Sequence, residues 1–519
     1  MTLLVSSFHV RSAEDMVKTS AQAWNRGADA VELRIDDLPL SPAELTAFLQ
    51  SQGDRRWIVT CRSAEEGGTT RATPELRFNM LAGILRSTDA FIDVEVAEWT
   101  RTPEHRRLLL DALQSRTRSG PRLILSVHSQ SGPIAEAVAA LRSVWNEPFV
   151  AAGKIAYHPG TICDTFEALD LLQDVAPRCI AIAMGESGLW TRVLARKLGA
   201  FATFCALDTG RETATGQVPL RDMLALYRWP TLNADTQVFG VCGEPVRHSM
   251  GPLLFNHWFQ QSGFNAVYLP LPVSCRPGIF QLFITRLLAR SWLHVGGLSV
   301  TLPHKRTALA CLAERADRLA QTLGAVNTLV LRDGQASGHN TDCHAALDSL
   351  AAALGIDKGL LADVRCDVLG TGGASRAVVT GLRQYGSEVT IFGRTPAQAE
   401  QMASSLGASA RPWDDRLHRT GDVLINCTNV GLWPDRSDSP MPREALRGCR
   451  LVFDLIYNPL QTHLLFLARQ EGIATLNGLD MFIRQAAAQF ELWTRQRPDL
   501  ESGREVVREA LRESADSAS

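Results

Sequence analysis

The amino-acid sequence predicts an α/β chain made of two successive halves, and three observations predict it. Residues 1–228 alternate eight short apolar runs with longer segments of helical period, which reads as a (β/α)8 TIM barrel. Charged side chains gather at the C-terminal tips of those runs, where a barrel of this kind carries its site. From residue 238 a second alternating series begins, and it contains a strand running into a glycine-rich turn, the mark of a Rossmann unit. An open doubly wound sheet is the alternative for the first half, because periodicity does not report closure.

Length and composition are consistent with this plan. A chain of 519 residues with 45% apolar content can bury more than one core, and a net charge of −2 gives no general field for nucleic acid or a membrane surface. No apolar run reaches about 18 residues, so no membrane helix is expected. The N-terminus lacks a basic segment followed by a long apolar one, so no signal peptide is expected. Eleven cysteines without a C-x-x-C pair read as reduced thiols in a cytoplasmic protein, with no metal site. The expected partners are small molecules.

The eight runs of the first half are 3–8, 30–36, 57–61, 91–96, 123–128, 149–156, 180–185 and 201–206. Glu32, Arg34 and Asp36 close the second. Arg62 follows the third, with Glu66 just beyond. Asp93 and Glu95 lie on one face of the fourth. His128 ends the fifth, Lys154 nearly ends the sixth, Arg192 follows the seventh, and Thr213 and Gln217 follow the eighth. One charged tip is usually a helix cap or a solvated end. Charges of both signs on most of the tips point to a site.

The inventory suits proton abstraction beside a carbonyl. Lys154 lies in an apolar run, where desolvation would keep its amine partly neutral and nucleophilic toward a ketone. His128 would take the neighbouring proton and later protonate a leaving hydroxyl. Glu66 would orient the imidazole, and Arg192 would hold a carboxylate bidentately. Val31-Glu-Leu-Arg-Ile-Asp36, Thr60-Cys-Arg-Ser-Ala-Glu-Glu-Gly-Gly68, Ile124-Leu-Ser-Val-His128 and Gly153-Lys-Ile-Ala156 resemble the type I 3-dehydroquinate dehydratases. The resemblance implies Schiff-base dehydration of 3-dehydroquinate to 3-dehydroshikimate. It places the imine on Lys154, the acid/base role on His128, and Arg62 and Arg192 among the substrate binders. It departs from the family at Thr213-Ala-Thr-Gly-Gln217, where Thr215 replaces a usual proline and leaves the loop freer, and at Ser129, where an acid is frequent.

Residues 229–237 read as a short polar linker, 238–342 as an α/β substrate domain, and 343–477 as the Rossmann domain. A helix at about 478–497 returns to the substrate domain, and 500–519 reads as a helix fraying into a tail. The strand at Asp367 runs into Gly370-Thr-Gly-Gly-Ala-Ser375, so Gly370, Gly372, Gly373, Ala374 and Ser375 are candidate phosphate-binding positions. The next strand ends at Arg394 and Thr395 with no acid, which favours the 2′-phosphate of NADP over the free ribose of NAD. Lys305 and Asp342 are a candidate proton-donating pair, or equally a structural ion pair. The span from Gly243-Glu-Pro-Val-Arg-His-Ser249 to Asn477-Gly-Leu-Asp-Met-Phe-Ile-Arg-Gln-Ala486 resembles the shikimate dehydrogenases. The resemblance implies that Lys305 and Asp342 are catalytic, that Ser249, Thr301, Asn327, Tyr457 and Gln485 contact substrate, and that Thr428 lies on the cofactor side. Gly251 stands where the family has a second serine.

The whole chain therefore resembles a fusion of the two enzymes, making 3-dehydroshikimate and reducing it to shikimate with NADPH. Three alternatives stay open at this stage. Gly251 leaves room for the extra hydroxyl of quinate, so the second half would also, or mainly, oxidise quinate. A ligand sensor on the same folds would need none of the catalytic residues. An aldolase-like barrel would share the lysine chemistry.

Overall fold

The computed structural model describes residues 1–37, 40–116, 120–129, 134–433 and 437–516. Its contacts divide into two units. Unit 1 comprises Met1–Val238, Pro245–Arg247 and Asn265–His294, and unit 2 comprises Phe239–Glu244, His248–Phe264 and Val295–Ser519.

Unit 1 is built on β1 (Leu3–His9), β2 (Ala30–Arg34), β3 (Trp57–Thr60), β4 (Phe91–Glu95), β5 (Leu123–Ser129), β6 (Val150–Tyr157), β7 (Cys179–Ala183) and β8 (Ala202–Ala206). Their order is β7-β6-β5-β4-β3-β2-β1-β8, and the ladders are parallel. The ring is nearly closed: beside the seam the Phe201 N–H donates to the Cys179 carbonyl at 2.8 Å. The predicted barrel is therefore present, with each strand close to its expected run.

Strand alternation builds the interior. Val5, Ala30, Ile58, Ile124, Ala152, Ile180 and Ala202 form an apolar plug, with Phe91 packed against it. Two residues further along each strand the same inward face carries Ser7, Glu32, Thr60, Asp93, Ser126, Lys154, Ile182 and Phe204. Two residues further still come Arg34, Arg62, Glu95, His128, Ala156 and Met184. The apolar plug thus excludes water from below a polar tier whose groups must satisfy one another. Helices between the strands start at conventional caps. Ser12 accepts from the Asp15 N–H, and Ser41 and Glu44 cap each other's backbone in a capping box.

Beyond the barrel the expected polar linker is only partly polar. Trp229 is 1% exposed, and Arg196 lies over its ring. This segment is therefore anchored by an aromatic side chain. β9 (Gln237–Gly243) follows, and β10 (Ala266–Pro272), with the helix Ile279–Leu288, groups with unit 1. There Arg290 forms a two-point contact with Asp170 (2.7 Å for each nitrogen), and Phe283 meets Phe166 and Trp190.

Unit 2 holds β11 (Val295–Val300), β12 (Thr328–Arg332) and β13 (Gln335–His339) in the order β9-β11-β12-β13, with antiparallel β11–β12 and β12–β13 pairs. It also holds β14 (Arg365–Leu369), β15 (Glu388–Gly393), β16 (Ser409–Pro412), β17 (Val423–Asn426), β18 (Leu451–Asp454) and β19 (Ala474–Leu476). These run in parallel in the order β16-β15-β14-β17-β18-β19. The strand order reverses between β14 and β17, which is where a Rossmann sheet opens its crevice.

The stretch expected as a helix fraying into a tail is a packed helix over Leu500–Asp516, and residues 517–519 lie outside the described residues. Val507 and Leu511 are buried, and Arg504 pairs with Asp480 at 2.7 Å. A Cβ on Gly503 would come within 2.6 Å of the Trp258 ring, so this helix lies directly on it. No helix among the described residues is long and apolar enough to cross a membrane, and all eleven cysteines are free thiols.

Candidate active sites

A cavity of about 190 Å³ opens at the C-terminal ends of the barrel strands. Nine of the twelve barrel residues singled out from the sequence line it: Glu32, Arg34, Arg62, Glu66, His128, Lys154, Arg192, Thr213 and Gln217, while Asp36, Asp93 and Glu95 stand outside its lining.

Lys154 is 6% exposed, but it is not the isolated amine expected from its apolar run. Its Nζ lies 2.8 Å from Asp93 Oδ2 and 3.7 Å from Glu32 Oε1, over the face of Phe204. The charge is compensated across the barrel interior, from β6 to β4 and β2. Asp93 also takes Arg62 Nη2 at 2.7 Å and the Ser126 hydroxyl at 2.6 Å. Burial opposes the charge of Asp93, but Arg62 and Lys154 outweigh it and hold the carboxyl well below its ordinary range. Asp93 is the principal site residue that the sequence reading noted and did not assign. Arg62 lines the cavity and bonds Asp93, Ser126 and Glu95 within the protein.

His128 Nδ1 lies 2.9 Å from Glu66 Oε2, and the same oxygen accepts the His128 backbone N–H at 3.0 Å. Burial pushes Glu66 up to about 7, and burial together with Arg62 and Lys154 holds His128 well below its ordinary value. With Glu66 ionised, Nδ1 carries the proton and Nε2 is left as a base.

Arg192 is 1% exposed and no carboxylate pairs with it among the described residues. Its Nη groups donate to the Phe204 and Thr215 carbonyls at 3.3 Å, and its Nε has no partner. Burial pushes this guanidinium down to about 10. A buried cation without a counter-charge is costly, and an anionic ligand would relieve it. The loop around Thr215 is tied down through its carbonyl, which also accepts the Gly185 N–H at 3.1 Å. Thr213 and Gln217 bond each other, and Thr213 reaches Ser7 at 2.7 Å. Glu32 accepts from Ser7 and Thr60, and Arg34 is bidentate to Asp36.

In unit 2 the predicted residues fall into two clusters. Lys305 Nζ lies 2.6 Å from Asp342 Oδ2, and the buried Asn327 amide donates to Asp342 Oδ1 at 2.9 Å. In the other cluster Tyr457 stacks on Phe482 at 4.6 Å, and Gln485 donates to the Phe482 carbonyl. Burial pushes the Tyr457 phenol up to about 12, and the hydroxyl meets the Met250 backbone. Ser249 Oγ accepts the N–H of Gly251, the first residue of the helix Gly251–Gln261. Thr301 stands against Gly243, where any Cβ would collide with it.

A second cavity, about 340 Å³, joins Lys305 to Thr371, Gly372 and Gly373. Gly370 has φ +107°, which favours glycine, and an added Cβ would press on Thr428. Ser375 Oγ donates back to the Gly370 carbonyl at 2.6 Å, fixing the turn, and Ala374 follows in the first turn of the helix Gly373–Gln384. That helix has no side-chain cap and no acid in its first turn, so its N–H groups are open to phosphate. Arg394 and Thr395 are exposed beyond β15. The donor set fits a phosphorylated dinucleotide.

The family model for type I 3-dehydroquinase matches residues 6–234. The models for the shikimate dehydrogenase substrate binding domain and the shikimate 5′-dehydrogenase C-terminal domain match 241–329 and 478–512. The last match runs into the helix Leu500–Asp516. A chloroplastic bifunctional 3-dehydroquinate dehydratase/shikimate dehydrogenase of Arabidopsis thaliana is 31% identical over 509 residues, covering 95% of this chain and 82% of that protein. A shikimate dehydrogenase (NADP(+)) of Shouchella clausii is 36% identical over 278 residues, covering 53% of this chain and 98% of the relative. One of Oleidesulfovibrio alaskensis is 37% identical over 279 residues, covering 53% and 96%.

Proposed function

Because the chain belongs to the bifunctional 3-dehydroquinate dehydratase/shikimate dehydrogenase family, we propose that its two steps divide between residues 1–228 and residues 238–500 in the following way. The first half dehydrates 3-dehydroquinate. Lys154 condenses with the ring ketone, and the resulting iminium keeps a positive charge beside Asp93, so the ion pair survives the reaction while the imine withdraws electrons. His128 Nε2 takes the proton from the neighbouring ring carbon. The electrons then expel the hydroxyl from the carbon bearing the carboxylate, and His128 returns its proton to that leaving oxygen. Water frees 3-dehydroshikimate and restores Lys154. Arg192 holds the substrate carboxylate.

The second half, with 238–342 as substrate domain and 343–477 as Rossmann domain, reduces 3-dehydroshikimate to shikimate. NADPH supplies the hydride when bound, held by the turn Gly370–Ser375, Thr428 and, at its 2′-phosphate, Arg394 and Thr395. The Lys305 ammonium donates a proton to the substrate oxygen, and Asp342, fixed by Asn327, keeps that lysine in place. Ser249, Thr301, Tyr457 and Gln485 hold the rest of the substrate. The relatives are named for shikimate, and the quinate alternative raised by Gly251 finds no support among them.

The observation that carries the first assignment is one cavity combining Lys154, the His128–Glu66 pair and the unpaired Arg192. Borohydride reduction in the presence of 3-dehydroshikimate tests it. The expected result is one reduced adduct on Lys154 by peptide mass spectrometry; no adduct, or an adduct on Lys305 alone, overturns it.

A further inference from the structure

Among the polar side chains of the barrel cavity that the assignment above does not use is His158. The sequence reading ended the sixth strand at Ala156, but the inward alternation continues from Lys154 through Ala156 to His158. Ala156 pairs in register with His128, so His158 stands one pleat nearer the mouth, beside the catalytic imidazole's strand. Its backbone is fixed there, since its N–H donates to the Ser129 carbonyl at 3.3 Å.

Most polar groups of the cavity are committed within the protein. Lys154 has Asp93, Glu66 has His128, Arg34 has Asp36, and Thr213 has Gln217. Among the described residues of the cavity, Arg192 Nε, the His158 imidazole and the Thr215 hydroxyl have no hydrogen-bond partner. The guanidinium suits the carboxylate of the substrate. An imidazole can both donate and accept, which is what a hydroxyl needs from its partner. The dehydratase substrate is a ring acid with further hydroxyls besides the one it loses.

Resting on the dehydratase reading, we propose that His158 is a substrate-contacting residue that holds a ring hydroxyl retained through the reaction. The hydroxyl is present in substrate, transition state and product alike. Its contact therefore stabilises all three equally and governs KM without governing kcat.

The test uses the full chain with His158→Leu, which removes the polar atoms, and His158→Gln, which restores a donor and an acceptor. Dehydration kinetics, the yield of reduced adduct on Lys154 and NADP-linked shikimate oxidation are measured for each. His158→Leu is expected to raise KM for 3-dehydroquinate about three- to tenfold, the net worth of one hydrogen bond, with kcat within about twofold. It should weaken 3-dehydroshikimate binding by a similar factor and leave shikimate oxidation unchanged. His158→Gln is expected within about twofold of wild type throughout. An unchanged KM in His158→Leu, a loss confined to kcat, or a glutamine variant as impaired as the leucine variant would overturn the proposal while the adduct still forms. Failure of the wild type to form the adduct would overturn the underlying reading instead.

Discussion

Arg192 and Glu66 are the residues whose environments make the sharpest demands. A guanidinium that is buried without a counter-charge is tolerable when a ligand carboxylate completes it. Arg192→Ala should therefore raise KM for 3-dehydroquinate by about ten- to a hundredfold, the worth of a charge-assisted contact at about 1.5–3 kcal/mol. Steady-state kinetics with the wild-type KM retained would show that the carboxylate binds elsewhere. Glu66 governs the tautomer of His128. Ionised, it accepts a hydrogen bond from Nδ1–H and leaves Nε2 as a base. Protonated, it donates to Nδ1 and forces the proton onto Nε2, so the base is lost. With Glu66 raised to about 7 by burial, dehydratase kcat/KM should fall as pH drops through about 7. Glu66→Gln should lower kcat at every pH and remove that acid limb; a limb that persists unchanged would assign it to another group. The sequence made these residues visible because they stand at strand tips. It did not show the pairing of Lys154 with Asp93, which crosses the barrel from β6 to β4. It also hid His158, which lines the cavity from just past the end of β6 at Tyr157, beyond the apolar run 149–156.

Elements were legible where burial is two-sided. The barrel and Rossmann strands are parallel and covered on both faces, so they appear as apolar runs bounded by polar tips. The helix Leu500–Asp516 was legible as a helix, but its packing was not. Its inward face shows only a sparse apolar spacing at Leu500, Gly503, Val507 and Leu511, and the Ser/Ala-rich end that follows has the composition of a tail. Burying Val507 and Leu511 contributes about 1.5–3 kcal/mol each. A chain ending at residue 499 should consequently lose several kcal/mol in the stability of the dehydrogenase half. The midpoint of urea unfolding should fall when followed by the loss of shikimate oxidation, while dehydratase activity holds. An unchanged midpoint would make the helix an ornament. The grouping of residues 265–294 with unit 1 was equally hidden, since Arg290–Asp170 and Phe283–Trp190 join positions far apart in the chain.

At the scale of the whole molecule, two chemistries share one chain, and the product of the first is the substrate of the second. Fusion fixes their ratio at one to one, and each set of catalytic residues lies within its own unit. Losing either site should therefore leave the other chemistry in place. The most direct test is NADPH oxidation started with either 3-dehydroquinate or 3-dehydroshikimate in wild type, Lys154→Ala and Asp342→Asn. Wild type should consume NADPH from both. Lys154→Ala should consume it from 3-dehydroshikimate at the wild-type rate and from 3-dehydroquinate not at all. Asp342→Asn should lose most of the oxidation from both while still turning 3-dehydroquinate into 3-dehydroshikimate. NADPH oxidation from 3-dehydroquinate at the wild-type rate in Lys154→Ala would contradict the account.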